Sequence, residues 1–289
     1  MASPRPATRT SFAGLSLRAF VIVYLLVFVG LPLAAAVPPL VREPPATVWA
    51  KATAPEAVAA VKLSVYAAAV GGGINTVMGG LIAWALVRSR FPGRRLADTL
   101  VDLPFAIPAV VAGIALMSLY GPASAAGQWM GEDGWLGRRL MSVGMPALSV
   151  TGSFFGLVLA NLFVTLPFVV RTVQPVIAGL ESDVEEAAAS LGAGAAGVFF
   201  RVTFPQILPA MLMGFALAFS RGVNEYGIAA LISGKIPFES LVASVYILQR
   251  LDVRDFTGAT AVSVVLTLIS LSVLVATYGW SQWRLRRGA

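Results

Sequence analysis

Residues 63–87, LSVYAAAVGGGINTVMGGLIAWALV, form a stretch without a single charged side chain. A helix needs about 20 apolar residues to cross about 30 Å of hydrocarbon, and this stretch satisfies that requirement. Small residues recur in it at helical spacing, as Ala69 with Gly73 and Gly79 with Ala83. Such spacing lets the backbones of neighbouring helices approach closely. We therefore expect a membrane-spanning helix that is packed inside a bundle.

Five other stretches are also long and apolar enough to span a membrane. Together with the first they predict an all-α membrane protein with six transmembrane helices, at residues 19–37, 63–87, from about 103 onward, 148–170, 206–231 and 257–280. The first is longer than the ~7–15-residue core of a signal peptide, so we expect it to remain as a helix. The connecting loops are too short to bury cores of their own. The predicted organisation is an N-terminal segment at 1–18, a six-span domain at 19–283 and a tail at 284–289.

The composition supports a membrane protein and excludes several other classes. Of the 289 residues, 57% are hydrophobic and 12% are charged. In soluble chains about a quarter of the residues are charged. The net charge of +7 comes from short basic clusters between the apolar stretches, which is typical of membrane topology and not of nucleic-acid binding. The chain has no cysteine and no histidine, which excludes disulfides, thiol catalysis and nearly every zinc site.

Orientation follows from the distribution of Lys and Arg. The flanks that include both termini hold twelve of these residues, and the opposite flanks hold eight. The positive-inside rule therefore predicts that both termini are cytoplasmic. The loop between the fourth and fifth spans is an exception, because it is net acidic.

That acidic loop contains the residues ESDVEEAAASLG at 181–192. The spacing of Ser182 and Glu185 is that of a capping box and predicts a short helix that starts at Ser182. Gly192 can end this helix, and a second short helix is expected before Phe204-Pro205. The pattern alone leaves two alternatives: a well-capped connection, or a helix–turn–helix module that projects into the cytoplasm to meet a partner.

Further residues of this loop carry a resemblance. Glu186-Ala187-Ala188, followed by Gly192 and by the residues VTFP at 202–205, resembles the EAA motif of the membrane permeases of ATP-binding-cassette (ABC) importers. The resemblance implies a type I importer permease (MetI-like) fold in the bacterial inner membrane, with coupling helices at about 181–205 that dock on a separate ATPase. The implied ATPase-coupling residues are Glu185, Glu186, Ala187, Ala188, Gly192 and Pro205.

Three other stretches, at 90–94, 102–108 and 166–176, resemble the T-type permease subunit of sulfate/thiosulfate transporters. Molybdate permeases share some of these features, and Val223-Asn224 departs from the family pattern, so a molybdate/tungstate permease is the alternative. The implied partners are ABC ATPase subunits, a W-type second permease and a periplasmic anion-binding protein. An ATP-independent anion transporter or channel is the alternative of a different class.

The chain itself carries no phosphate-binding loop of the type G-x-x-x-x-G-K-[ST], and the glycine run at 71–73 has no lysine after it. We interpret that run as a packing surface. Neither catalytic nor metal-binding residues form a recognisable constellation in the sequence. No cofactor is therefore expected on this chain, and ATP and Mg are expected on the partner ATPase.

Arg221 and Glu225 are the charged pair predicted to lie deep in a span. Their i, i+4 spacing places them on one face of a helix, within reach of each other. One interpretation is a structural ion pair that fixes the rotation of the span. The other is that Arg221 also attracts the anion near an outer gate, with Asn224 as a hydrogen-bond donor. The sequence leaves both interpretations open.

Overall fold

The computed structural model describes residues 12–35 and 37–287, and every regular element in these ranges is a helix. Side chains are described for residues 16–35 and 37–283. Residues 1–11 of the predicted N-terminal segment, and residues 288 and 289 of the predicted tail, lie outside the described residues.

Two π-helical turns, at Leu26–Gly30 and Phe199–Thr203, interrupt the α-helices. In chain order the α-helices are α1 (Phe12–Leu25), α2 (Leu31–Ala35), α3 (Pro38–Val41), α4 (Pro45–Ala52), α5 (Pro55–Arg88), α6 (Arg94–Val101), α7 (Leu103–Ala106), α8 (Ala109–Tyr120), α9 (Ala125–Met130), α10 (Trp135–Ser142), α11 (Phe154–Ala178), α12 (Ser182–Ser190), α13 (Ala195–Val198), α14 (Phe204–Val223), α15 (Ala229–Ile232), α16 (Ala243–Asp252) and α17 (Phe256–Arg287).

Five helical segments of the described ranges are long and apolar enough to cross a membrane. They are Ser16–Val41, Pro55–Arg88, Phe154–Ala178, Ala195–Val223 and Phe256–Trp283. A sixth results if the pair Ala109–Tyr120 and Ala125–Ser142, bent by 60°, is counted as one span. The predicted all-helical fold with six spans is confirmed on this count, with a broken third span.

Proline interrupts the helical backbone before the third span, and glycine within it. Ile107 is extended (ψ 128°) before Pro108, which caps α8, because a proline disfavours helical geometry in the residue before it. Pro108 thus precedes the first residue of the third span, Ala109, and the break inside the span follows Tyr120. A Cβ on Gly127 would lie 2.0 Å from the carbonyl oxygen of Gly121, so only glycine fits this tight connection.

Several predicted span boundaries are wrong. The second span begins at Pro55 and not at residue 63. The fourth begins at Phe154, where the Ser153 hydroxyl accepts the Gly156 N–H at 3.1 Å and caps the helix. The fifth ends at Val223, well before residue 231, because the chain leaves helical geometry after Asn224 and residues 229–232 form the separate helix α15.

The core of the bundle is the packing of α5, α11 and α14 on one another. A Cβ on Gly71 of α5 would lie 2.8 Å from the Cβ of Asn161, and one on Gly222 of α14 would lie 2.5 Å from the Oδ1 of the same residue. Gly79 approaches Val169 of α11 with comparable closeness, since its Cβ would meet a Val169 methyl at 2.9 Å. Glycine at these positions lets three helix backbones come together.

The predicted packing role of small residues in α5 is confirmed only in part. Gly79 and Ala83 are buried against the neighbouring helices. Gly73 has no atom within 4 Å of where a Cβ would be, so Ala69 and Gly73 do not form a packing pair. The reason is rotation of the helix, which turns Gly71 toward the core and Gly73 away from it.

An ion-pair cluster centred on Lys51 holds α4 against the start of α17. The Lys51 ammonium lies 3.1 Å from Glu43 and 2.9 Å from Asp255, and the Thr257 hydroxyl donates to Glu43 at 2.8 Å. The hydrogen bonds from Thr257 and then Lys51 lower the pKa of Glu43. Burial acts to raise the pKa of Asp255, but hydrogen bonds from Lys51 and the Gly258 N–H outweigh it and lower that pKa.

Candidate coupling segment and intramembrane ion pair

The acidic loop folds as a helix, a glycine turn and a second helix. Helix α12 begins at Ser182, as predicted, and Gly192 follows it with φ +90°. The Gly192 N–H donates to the Ala189 carbonyl at 2.9 Å, and the Ala193 N–H donates to the Ala188 carbonyl at 3.1 Å. This is the left-handed ending that glycine adopts without steric cost, so the predicted turn at Gly192 is confirmed.

The predicted capping box at the start of α12 is wrong. The N-cap residue is Glu181, and its side chain makes no capping hydrogen bond. The Glu185 carboxylate does not accept a hydrogen bond from the backbone at the start of α12. It accepts hydrogen bonds from the Arg88 guanidinium and the Thr203 hydroxyl, each at 2.9 Å. The guanidinium carries a full positive charge, which a backbone N–H at the helix start lacks, and this favours the contact with Arg88.

Glu185 therefore joins three elements: the end of α5, helix α12 and the start of the fifth span. Aromatic contacts reinforce the junction. The Arg88 guanidinium lies 5.4 Å from the centroid of the Trp84 ring, and the Trp84 and Phe199 rings pack edge to face with centroids 5.6 Å apart. A groove of about 470 Å³ opens between α12 and these residues. The segment is held to the bundle by side-chain contacts as well as by its backbone connections to the fourth and fifth spans.

The opposite side of the segment is free of such contacts within the described part of the chain. Ala187 is exposed there, one turn after the exposed Asp183, and Ala188 is half-buried. Glu186 is also exposed but lines the groove described above. Leu191, at the glycine turn, is 89% exposed. Small and apolar side chains beside one carboxylate form a surface that a second protein can approach closely.

Pro205 does not end the second helix, contrary to the prediction. Helix α13, the π-helical turn and α14 run together as one helical segment, Ala195–Val223. Pro205 lies in the first turn of α14, directly after the π-helical turn. A wide turn of this kind accommodates the proline ring and its missing N–H without breaking the helix. The second part of the candidate coupling segment, from Ala195, is thus continuous with the fifth span, whereas α12 is separated from it by the glycine turn.

The second site lies where α14 ends. Arg221 Nη1 is 2.6 Å from Glu225 Oε2, so the predicted i, i+4 pair is formed. The Glu225 side chain is 4% exposed and that of Arg221 is 38% exposed. The other carboxylate oxygen of Glu225 accepts the Ile228 N–H at 2.9 Å. The carboxylate is fixed inside the protein, and the guanidinium extends toward the surface.

Asn224 lies beside this pair and is exposed. Its amide group donates to the Ser220 carbonyl at 2.8 Å and to the Ser270 hydroxyl at 3.1 Å. Both amide protons are engaged in this conformation. Of the three predicted anion-path residues, Arg221 is the one whose donors extend toward open space.

A third polar cluster was missed by the sequence reasoning. Arg171, near the end of α11, donates to Asp98 at 2.7 Å and to Asp102 at 2.8 Å. Gln174 donates to Asp98 at 3.0 Å, and this bond, followed by that from Arg171, lowers the pKa of Asp98. An arginine inside an apolar stretch with a glutamine at i+3 was the available signal, but it does not reveal partners on another helix.

Both sites are built from ion pairs and hydrogen bonds. Within the described residues, no three or more His, Cys, Asp or Glu side chains could hold a metal ion. Glu185 and Glu225 are both engaged by arginines. What the two sites offer to solvent or to a partner is an exposed glycine turn after α12 and a partly exposed guanidinium at Arg221.

A family model and individual relatives of known name agree on one family. A model of the family described as binding-protein-dependent transport system inner membrane component matches residues 75–287. A probable sulfate transport system permease protein cysT of Nephroselmis olivacea is 44% identical over 91% of this chain and 88% of its own length. The sulfate transport system permease protein CysT of Synechocystis sp. is 41% identical over 91% of this chain and 87% of its own length.

Solved structures share the fold at low sequence identity. A bacterial ABC transporter involved in the import of the acidic polysaccharide alginate aligns with a TM-score of 0.70 at 17% identity, covering 95% of this chain and 96% of that one. A bacterial alginate ABC transporter in complex with a pentasaccharide-bound periplasmic protein aligns with a TM-score of 0.69 at 16% identity, covering 93% of each chain. These likenesses concern the fold alone.

Proposed function

Because this chain belongs to the family of binding-protein-dependent transport system inner membrane components, we propose that it is the T-type permease that carries sulfate or thiosulfate in an ABC importer. The chain is a permease subunit and not itself an enzyme, since ATP hydrolysis belongs to a separate subunit. The single observation that supports sulfate is that relatives 40–44% identical over about nine-tenths of the chain are named as sulfate permeases.

The proposed assembly contains ABC ATPase subunits that bind ATP and Mg, a W-type second permease and a periplasmic anion-binding protein. The proposed topology places both termini and the coupling segment in the cytoplasm. Because the chain lacks cysteine, single introduced cysteines report this directly. Ser182→Cys should react with an impermeant reagent only from the cytoplasm, and Ser124→Cys only from outside. Reaction of both from one side would overturn the topology.

The transported anion is identified by uptake measurements on the complex, reconstituted in vesicles together with the periplasmic anion-binding protein. We expect uptake of radiolabelled sulfate that requires ATP and is inhibited by thiosulfate. Uptake of molybdate in preference to sulfate would favour the molybdate/tungstate alternative. Uptake without the ATPase would favour the ATP-independent transporter or channel.

The coupling role is proposed for residues 181–205, with Glu186, Ala187 and Ala188 at the docking surface and Glu185 as an internal positioning residue. Glu185 joins the segment to two spans, so a movement of the docked segment is transmitted to both. Glu185→Gln should leave the complex assembled but reduce the transport obtained per ATP hydrolysed. An unchanged ratio of transport to hydrolysis would contradict this role.

Gly192 is tested against a matched glycine two residues later. Gly192→Val should uncouple transport from ATP hydrolysis, because valine is strained at φ +90°. Gly194 also has no atom within 4 Å of a Cβ, but its φ is −67°, which valine adopts readily. Gly194→Val should therefore retain coupling. Equal behaviour of the two variants would show that the left-handed turn is not required.

The proposed anion path includes Arg221, held by Glu225, with Asn224 beside it. The swap Arg221→Glu with Glu225→Arg distinguishes a structural pair from an anion-guiding arginine. A purely structural pair recovers assembly and much of the transport, whereas an anion-guiding Arg221 recovers assembly alone. Parental transport in Arg221→Ala would contradict both roles.

A further inference from the structure

Helix α6 (Arg94–Val101) packs on the bundle at the end that carries the candidate coupling segment, residues 181–205. Arg88 ends α5 and contacts Glu185 of α12, and a turn through Gly93, with φ +83°, leads into α6. The helix presents two different apolar stripes. Ala97 and Val101 pack against the core, whereas Leu96 is 64% exposed and Leu100 is 52% exposed.

Basic residues outnumber acidic ones in and around α6. Asp98 of α6 and Asp102 directly after it both accept hydrogen bonds from Arg171, and each carboxyl side chain remains nearly half exposed. Arg94 also acts electrostatically on Asp98. Four arginines occur between residues 88 and 95, and Arg88 is the one paired with an acid. Among the described residues, no ion pair includes Arg90, Arg94 or Arg95. All three of these side chains are exposed.

Exposed leucines beside exposed arginines, on a short helix at the end of a membrane span, have the pattern of a helix that lies in the plane of a bilayer surface. Its leucines enter the acyl boundary, and its arginines reach the headgroups. Arginine forms bidentate hydrogen bonds with phosphate, and a basic cluster favours anionic over neutral lipids.

We propose that α6 binds anionic phospholipid headgroups of the leaflet on the coupling side, through Arg90, Arg94 and Arg95, with Leu96 and Leu100 in the acyl boundary. Arg171 ties this lipid-bound helix to α11. The inference rests on the membrane placement of the proposed function but not on the identity of the transported anion.

The first test measures lipid preference in the purified transporter complex, extracted from vesicles of phosphatidylcholine and phosphatidylglycerol. Retained lipids are quantified by mass spectrometry. Arg94→Gln with Arg95→Gln should reduce the enrichment of phosphatidylglycerol by up to about 25-fold, since each arginine near an anionic surface contributes a factor of about five. The matched control is Arg138→Gln with Arg139→Gln, an adjacent exposed pair on α10, which should retain the enrichment. An equal loss in both variants, or none in either, would overturn the proposal.

The second test asks what covers the leucine stripe. A spin label on Leu100→Cys in the reconstituted complex should be relaxed by oxygen, which partitions into lipid, and little by a water-soluble nickel chelate. A label shielded from both reagents is covered by another subunit, and that result overturns the proposal.

Both measurements are independent of transport. Sulfate uptake without any phosphatidylglycerol preference would therefore reject the lipid site and leave the proposed function intact. A phosphatidylglycerol preference without sulfate uptake would support the lipid site and reject the proposed function.

Discussion

The first span and the fourth span are both apolar enough to cross a membrane, yet they pack very differently. None of the most apolar window of Ser16–Val41 is buried, whereas 56% of that of Phe154–Ala178 is buried. The fourth span meets glycines on two neighbouring helices, through Asn161 and Val169. The first span carries large side chains such as Phe20 and Leu26 at its exposed surface. Apolar character places a helix in a membrane, and small residues at its contacts determine what it packs against.

The largest expected effect comes from placing a large side chain at the contact between α5 and α11. Gly71→Leu should destabilise the permease by ~1–3 kcal/mol or more, because its Cβ alone would lie 2.8 Å from the Cβ of Asn161. Gly73→Leu, on the same helix, is the matched control. It should leave the stability nearly unchanged, since no atom of the described residues lies within 4 Å of a Cβ at position 73. The measurement is the thermal unfolding midpoint of both purified variants in detergent. Equal midpoints would remove the distinction between packed and unpacked faces of α5.

A smaller effect is expected at the Lys51 cluster, which depends on charge and not on packing. The lowered carboxyl pKa values mean that this stabilisation is present above the ordinary values, 4.5 for Glu43 and 3.8 for Asp255, and is lost as the pH falls through the lowered values. Hydrogen bonds from Lys51 to Asp255 and then Glu43 raise the lysine pKa above 10.5, so its contribution is lost only in strong alkali.

Lys51→Met should therefore lower the unfolding midpoint at pH 7 by about 2 °C, as expected for a partly exposed cluster. The difference between variant and parent should shrink as the pH falls through the lowered pKa values of Glu43 and Asp255, where the carboxylates of the parent become protonated. Arg139→Met is a control outside the cluster. A difference that grows in acid would contradict this account.

The smallest effect is expected in the first span. Ile22→Ala and Val27→Ala remove apolar groups that are 57% and 46% exposed and contact no core cluster. Each should change the stability of the isolated permease by less than ~0.5 kcal/mol, as is usual for exposed positions. The unfolding midpoint in detergent checks this. A large loss would show that the first span packs on this same chain and would remove its contrast with the fourth.

The sequence predicted well what is local and poorly what joins distant residues. Gly192 could be identified as a turn because its neighbours form a helix that must end. The pairing of Glu185 with Arg88 could not be identified, because 97 residues separate them and a local capping pattern gave a plausible alternative. For the same reason Asn161 attracted no attention, although it contacts glycines of two other helices. Pro205 misled because proline usually ends a helix, and a π-helical turn is not visible in a residue pattern.

In the proposed function, the continuous segment Ala195–Val223 is the lever arm of the coupling segment. Its 29 residues span about 43 Å at ~1.5 Å per residue, with the coupling surface near one end and Arg221 near the other. A rigid rod of that length, tilted by about 5° around one end, displaces its other end by roughly 4 Å. In the proposed function, a small rotation at the coupling end would therefore move the region of Arg221 by several ångströms.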